Sequence, residues 1–133
     1  VDLASERIVG DLVRGLIKAK TLNAVHDVGD GGLLVAVAEM ALAGRRGVDL
    51  EGAPDGMAKH AVWFGEDQAR YVVAATEDKV GTIKDVATIY NVPVRVLGTV
   101  RGDKVTLRGE APLPLGMLRA AYEDWLPRYM TRG

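Results

Sequence analysis

From Leu3 to Lys20, the apolar residues Ile8, Val9, Leu12, Val13, Leu16 and Ile17 recur at helical spacing, while Glu6, Arg7, Asp11, Arg14 and Lys18 fall mostly elsewhere. The pattern predicts a surface helix that buries one face. A short, partly apolar segment from Asn23 to Val28 then runs into Gly29-Asp30-Gly31-Gly32, and Leu33 to Ala43 is apolar nearly all round. This predicts strand, glycine turn and a helix covered on more than one side, ending at Gly44 with Arg45 and Arg46 near its negative dipole end. Val48 to Leu50 fits a short strand and residues 52–56 a loop; the element after that loop is left open. Tyr71-Val72-Val73-Ala74-Ala75 is β-prone. Glu77 and Asp78 open a helix whose Val80, Ile83, Ala87 and Tyr90 share a face. Val94, Val96 and Val100, the Gly102-Asp103 pair, and Val105 and Leu107 predict a hairpin over 94–108. A last helix with Leu115, Leu118, Tyr122 and Trp125 on one face should stop near Pro127. The expected fold class is α/β (α+β): one mixed β-sheet of residues 23–28, 71–76, 94–101 and 104–108 with four helices packed on it.

Length and charge narrow the function classes. A chain of 133 residues fits one domain, spanning 1–133, with a real core. Apolar residues make up 48% but fall in short runs, which predicts a soluble protein without a membrane-spanning helix. Lys plus Arg number 17 against 18 Asp plus Glu, a net charge of -1, so no global field favours nucleic acid or an anionic membrane as partner. With no cysteine and no signal-peptide pattern, a cytoplasmic location is expected. The chain starts at Val1 with its helical pattern beginning at once, as a domain of a longer polypeptide would; a processed start is the alternative.

Two segments carry candidate chemistry. In His26-Asp27-Val28-Gly29-Asp30-Gly31-Gly32-Leu33, a strand delivers a glycine-rich turn to a helix start, which gathers backbone N–H donors where an anion such as phosphate can be held. Asp27 and Asp30 offer oxygens suited to Mg²⁺ or to a ribose hydroxyl. The same residues also serve a purely structural purpose, with Asp30 capping the helix and the glycines turning the chain. No Lys follows the glycines, so this is not a GxxxxGK[ST] phosphate loop. In the second segment, Trp63 to Tyr71, the polar residues Glu66, Asp67 and Gln68 lie between an aromatic pair and a strand, either facing a ligand or forming a solvated turn. Two histidines and no cysteine make no zinc-like ligand set, and Ser5, the only serine, sits in the first helix, so no Ser/His/Asp triad is expected.

Together the two segments resemble one family. Residues 26–33 are similar to the HDVSDGGL motif, and 64–71 to the FGESQGRY motif, of the last domain of phosphoribosylformylglycinamidine synthases, the large synthetase of purine biosynthesis. The apolar helix, Leu97-Gly98-Thr99-Val100 and the ending Trp125-Leu126-Pro127-Arg128-Tyr129-Met130 extend the resemblance over the whole chain. Gly29 and Asp67 stand where that family has Ser, and Ala69 where it has Gly, which removes any contact the two serine hydroxyls make. The resemblance implies a fold like the aminoimidazole ribonucleotide synthetase C-terminal domain, within the second half of a two-half synthetase. It implies participation in an ATP- and Mg²⁺-dependent carbon–nitrogen ligase that converts formylglycinamide ribonucleotide, ATP and glutamine to formylglycinamidine ribonucleotide. Its partners would be the remaining synthetase domains, a glutaminase subunit and a small accessory subunit. Asp27, Asp30, Gly31, Gly32 and Glu66 are the residues expected to line a substrate or nucleotide site, with no catalytic residue assigned and no activity expected of the isolated domain. The alternative is a non-catalytic scaffold or an auxiliary nucleotide-binding lobe of that enzyme.

Overall fold

A computed structural model describes residues 3–54, 56–66, 69–123 and 125–131. Asp67 and Gln68 of the second motif lie outside the described residues, as do the side chains of Trp125, Leu126 and Arg128. The elements run α1 (Leu3–Lys18), β1 (Ala24–Asp27), α2 (Gly32–Gly44), β2 (Val48–Leu50), α3 (Lys59–Phe64), β3 (Tyr71–Ala74), α4 (Glu77–Ile89), β4 (Gly98–Val100), β5 (Lys104–Leu107), β6 (Leu113–Pro114), α5 (Leu115–Glu123) and α6 (Trp125–Met130). They divide into two compact units, one of Val1–Val37 with Lys59–Val96 and one of Ala38–Ala58 with Leu97–Gly133.

In the first unit, β1 and β3 form an antiparallel pair in the register Ala24↔Ala74 to Asp27↔Tyr71. Helices α1 and α4 bury Leu12, Leu16, Ile83 and Ala87 against one another, with Leu22, Ala75, Val86 and Val92 packed around them. The amphipathic stripe of α1 is therefore used only in its middle: Leu12, Val13 and Leu16 are buried, whereas Ile8 and Ile17 at its edges are exposed. Asp78 in the first turn of α4 accepts a hydrogen bond from the Thr76 side chain, the main reason its carboxyl titrates below the ordinary value, and its charge suits the positive end of the helix.

Three helices end in the same way. Past α1, the Thr21 amide bonds to the Leu16 carbonyl and Lys20 to Ile17; past α2, Arg46 bonds to Ala41 and Arg45 to Leu42; past α4, Val92 bonds to Ala87 and Asn91 to Thr88. Each is a six-to-one plus five-to-two closure, and each puts a non-glycine residue in the left-handed region: Lys20 at φ 54°, Arg45 at 52° and Asn91 at 53°. The left-handed residue at Lys20 is why α1 stops at Lys18 rather than continuing to Lys20.

In the second unit, four strands are ordered β4-β2-β5-β6. Strand β2 pairs antiparallel with β4 and parallel with β5, while β5 and β6 are antiparallel, so this sheet is mixed. Two sequence expectations are corrected here. Residues 94–108 do not form a hairpin, because β2 lies between β4 and β5; Gly47 just before β2 donates to the Gly102 carbonyl and accepts from the Arg101 amide, holding the connection apart. Arg101 to Asp103 carry the chain past Gly47 from the β4 side of β2 to the β5 side, with Gly102 in the left-handed region at φ 67°. Val94 and Val96 lie outside any strand and are exposed. Nor do the strands share one sheet: 24–27 and 71–74 pair with each other, separately from the four-stranded sheet.

The end of the chain also departs from expectation. Helix α6 continues past Pro127 to Met130, because Pro127 occupies the first turn, where its missing N–H has no intrahelical partner to lose. On α5, Leu115 is buried and Leu118 half-buried, but Tyr122 is exposed. Arg119 donates to the Leu42 carbonyl at 2.9 Å, a second donor to the oxygen that also accepts the Arg45 amide at the end of α2.

Candidate functional site

The glycine turn between β1 and α2 is built as the residue pattern requires. Gly31 and Gly32 have φ of 83° and 75°, conformations that favour residues without a Cβ. The Gly32 amide donates to the Gly29 carbonyl at 3.0 Å, and a Cβ on Gly32 would lie 2.6 Å from the carbonyl carbon of Phe64. Helix α3 thus ends directly against the turn. From the loop that follows α3, Glu66 reaches back, and its Oε1 accepts the Gly31 amide at 2.9 Å. The turn and the second motif, 35 residues apart in sequence, therefore meet through Gly31 with Glu66 and Gly32 with Phe64.

Asp27 occupies a different setting. It ends β1 opposite Tyr71, its carboxylate is mostly exposed, and its Oδ1 stands 3.6 Å from the His26 Nδ1. It lines a cavity of about 550 Å³ together with Glu6 and Arg7 of α1 and with Val28, Arg70 and Tyr71. Asp30, Gly31, Gly32 and Glu66 do not line this cavity. Sequence reasoning missed the contribution of α1, because Glu6 and Arg7 sit on its polar face with no local motif to tie them to the end of β1. Arg70 is half-buried and donates to the Gly65 carbonyl at 3.5 Å, which anchors the loop of the second motif from its far side.

Asp27 lines the cavity and Glu66 bonds to the turn, so the structure does not bring all the predicted site residues to one place. Among the described residues no three His, Asp or Glu side chains gather closely enough to hold a cation. Asp27 and Asp30 can supply at most part of a Mg²⁺ ligand set, which normally includes phosphate oxygens and water. The Gly31 N–H, a donor that an anion could use, is already taken by Glu66. No described helix is long and apolar enough to cross a membrane.

Residues 1–110 match the family described as AIR synthase related protein, C-terminal domain. The chain belongs to this family. It is 52% identical over 130 residues to the phosphoribosylformylglycinamidine synthase subunit PurL of Azorhizobium caulinodans, an alignment covering 98% of this chain and 18% of that relative. The chain thus spans about one fifth of the length of the curated relatives it matches. In fold it resembles Thermotoga maritima PurL. The form complexed with FGAR superposes with a TM-score of 0.73 at 20% identity, over 85% of this chain and 20% of that one. The form complexed with ATP gives 0.73 at 20% identity, over 84% and 21%. The likeness bears out the expected fold class, a mixed sheet with helices in the manner of this family's C-terminal domains.

Proposed function

We propose that residues 1–133 are the carboxy-terminal domain of a phosphoribosylformylglycinamidine synthase and contribute one wall of a substrate or nucleotide site to that ATP-dependent ligase. The observation that carries the reading is the meeting of the two motifs at Gly31 and Glu66, backed by 52% identity to a PurL subunit over nearly the whole chain. In the intact enzyme ATP activates the amide oxygen of formylglycinamide ribonucleotide and ammonia displaces the phosphate, with Mg²⁺ neutralising charge. This chain's part is binding and orientation. Asp27 offers carboxylate oxygens at the end of β1 and Asp30 within the turn, Gly31 and Gly32 allow close approach of the backbone, and Glu66 bonds to the Gly31 amide. The ligands of related chains, FGAR in one and ATP in another, supply the two candidate occupants. Ammonia would come from a glutaminase subunit, assembled with a small accessory subunit, in the cytoplasm. A second reading, an auxiliary nucleotide-binding or scaffold lobe, is favoured by the occupied Gly31 amide, since a turn satisfied from within needs no ligand to hold its shape.

Asp27→Asn in the full-length synthetase tests the proposal, because it removes charge with little change of shape. Ammonia-dependent formation of formylglycinamidine ribonucleotide should fall, or nucleotide binding weaken, by about tenfold or more, as loss of a charge-assisted contact implies, while the melting temperature holds. Unaltered kinetics and unaltered nucleotide binding would remove this turn from the site. The isolated 133-residue chain, given ATP, substrate and ammonia, should make no product.

A further inference from the structure

Glu66 is an exposed carboxylate whose one described hydrogen bond reaches a backbone amide 35 residues away. Here the partner is Gly31, at φ 83°, the first of two consecutive left-handed residues, and its neighbour Gly32 is wedged against the Phe64 backbone two residues before Glu66. The two contacts fix the turn from two sides: Phe64 limits its approach, and Glu66 holds the amide in a chosen direction. Charge-assisted hydrogen bonds to a backbone N–H are among the stronger ones available to an exposed side chain.

We infer that Glu66 is a positioning residue, which fixes the glycine turn through the Gly31 amide and does not itself contact the ligand. This rests on the reading that the turn faces a ligand, and it assigns Glu66 a role within that site different from those of Asp27 and Asp30. The role depends first on an acceptor oxygen at the end of the side chain, and the negative charge only strengthens the bond, so glutamine should keep most of it, whereas alanine should not.

The comparison is made in the full-length synthetase with Glu66→Ala, Glu66→Gln and Asp27→Asn, reading ammonia-dependent kinetics and backbone hydrogen exchange of the peptide that contains Gly31. Glu66→Ala should speed exchange at Gly31 by roughly tenfold and lower kcat/KM by a similar factor, the scale expected for one lost charge-assisted bond. Glu66→Gln should restore both to within about threefold of the parent. Loss of activity in Glu66→Gln equal to that in Glu66→Ala would mean that the charge acts on a ligand, which overturns the inference and leaves the site intact. Unchanged exchange at Gly31 in Glu66→Ala would overturn it too. Accelerated exchange with normal kinetics in all three variants would discard the site and with it the positioning role; altered kinetics in Asp27→Asn alone would discard only the role given to Glu66.

Discussion

Gly32 packs so closely on the backbone of Phe64 that a Cβ would lie 2.6 Å from the Phe64 carbonyl carbon, and neither side of that contact is a flexible side chain. Gly32→Ala must therefore move backbone and also hold an L-residue at φ 75°. The left-handed conformation costs about 1–2 kcal/mol, and overpacking typically a further 1–3 kcal/mol. Denaturant unfolding should show a loss of about 2–5 kcal/mol on these scales. Gly29→Ala is the control, since nothing lies within 4 Å of its Cβ; it should change stability by less than about 1 kcal/mol. Equal effects from the two substitutions would mean that the contact with Phe64 is not formed.

Among the described residues, four non-glycine residues carry positive φ: Lys20, Arg45, Ala69 and Asn91. Ala69 stands where the resembling motif has Gly, so the structure shows what that departure entails: an alanine held at φ 59° in the loop that carries Glu66. Replacing any of these by Gly removes about 1–2 kcal/mol of strain and returns about 0.4–1 kcal/mol through the freer unfolded chain. Lys20→Gly, Arg45→Gly and Ala69→Gly should each stabilise by roughly 0.5–1 kcal/mol in thermal or denaturant melts, and Asn91→Gly by less, because Asn tolerates this region better. Destabilisation by Lys20→Gly or Ala69→Gly would contradict the assigned backbone.

What the residue pattern revealed, and what it concealed, follows from the range of each interaction. The strand, glycine turn and helix at 24–44 are written locally: β1, then two left-handed glycines, the second of which opens a thirteen-residue apolar helix. Helix α4 was equally legible, because Glu77, Asp78, Ile83 and Ala87 announce its start and its buried face. The supposed hairpin failed because alternation and a Gly-Asp pair are also local signals, whereas the residue that separates the strands, Gly47, lies more than fifty positions upstream of Gly102. A Cβ on Gly47 would collide with the Lys104 backbone, and one on Gly98 with the Asp49 carbonyl; only the tertiary structure gives these glycines their purpose. Helix α3 escaped notice because six residues are too few to display a helical period. At the candidate site, the glycines and Glu66 were visible as two motifs, but their direct contact was not, and the approach of Glu6 and Arg7 to Asp27 had no sequence signature at all.

Tyr122 on α5 donates its hydroxyl to Glu39 Oε1 on α2 at 3.1 Å. That hydrogen bond is the main reason its phenol is held above the ordinary value of 10.0; the negative charge of Glu39 adds to the effect, followed by slight desolvation and the charge of Glu123. Arg119 pairs with Glu123 at 3.0 Å, and so partly offsets the last of these. A proton bound more tightly in the folded chain than in the unfolded one stabilises the fold at every pH below the unfolded value. That contribution is complete below about pH 10 and is lost as pH rises through the higher, folded pKa, where a phenolate would face the Glu39 carboxylate. Tyr122→Phe should therefore lower stability at neutral pH, and the gap between it and the parent should close on the alkaline side. Glu39→Gln should bring the Tyr122 titration back towards the ordinary value, seen as an earlier rise in tyrosinate absorbance. Unfolding free energies that differ by a constant amount from neutral to strongly alkaline pH, or a tyrosinate titration indifferent to Glu39→Gln, would show that the two side chains are not bonded in solution.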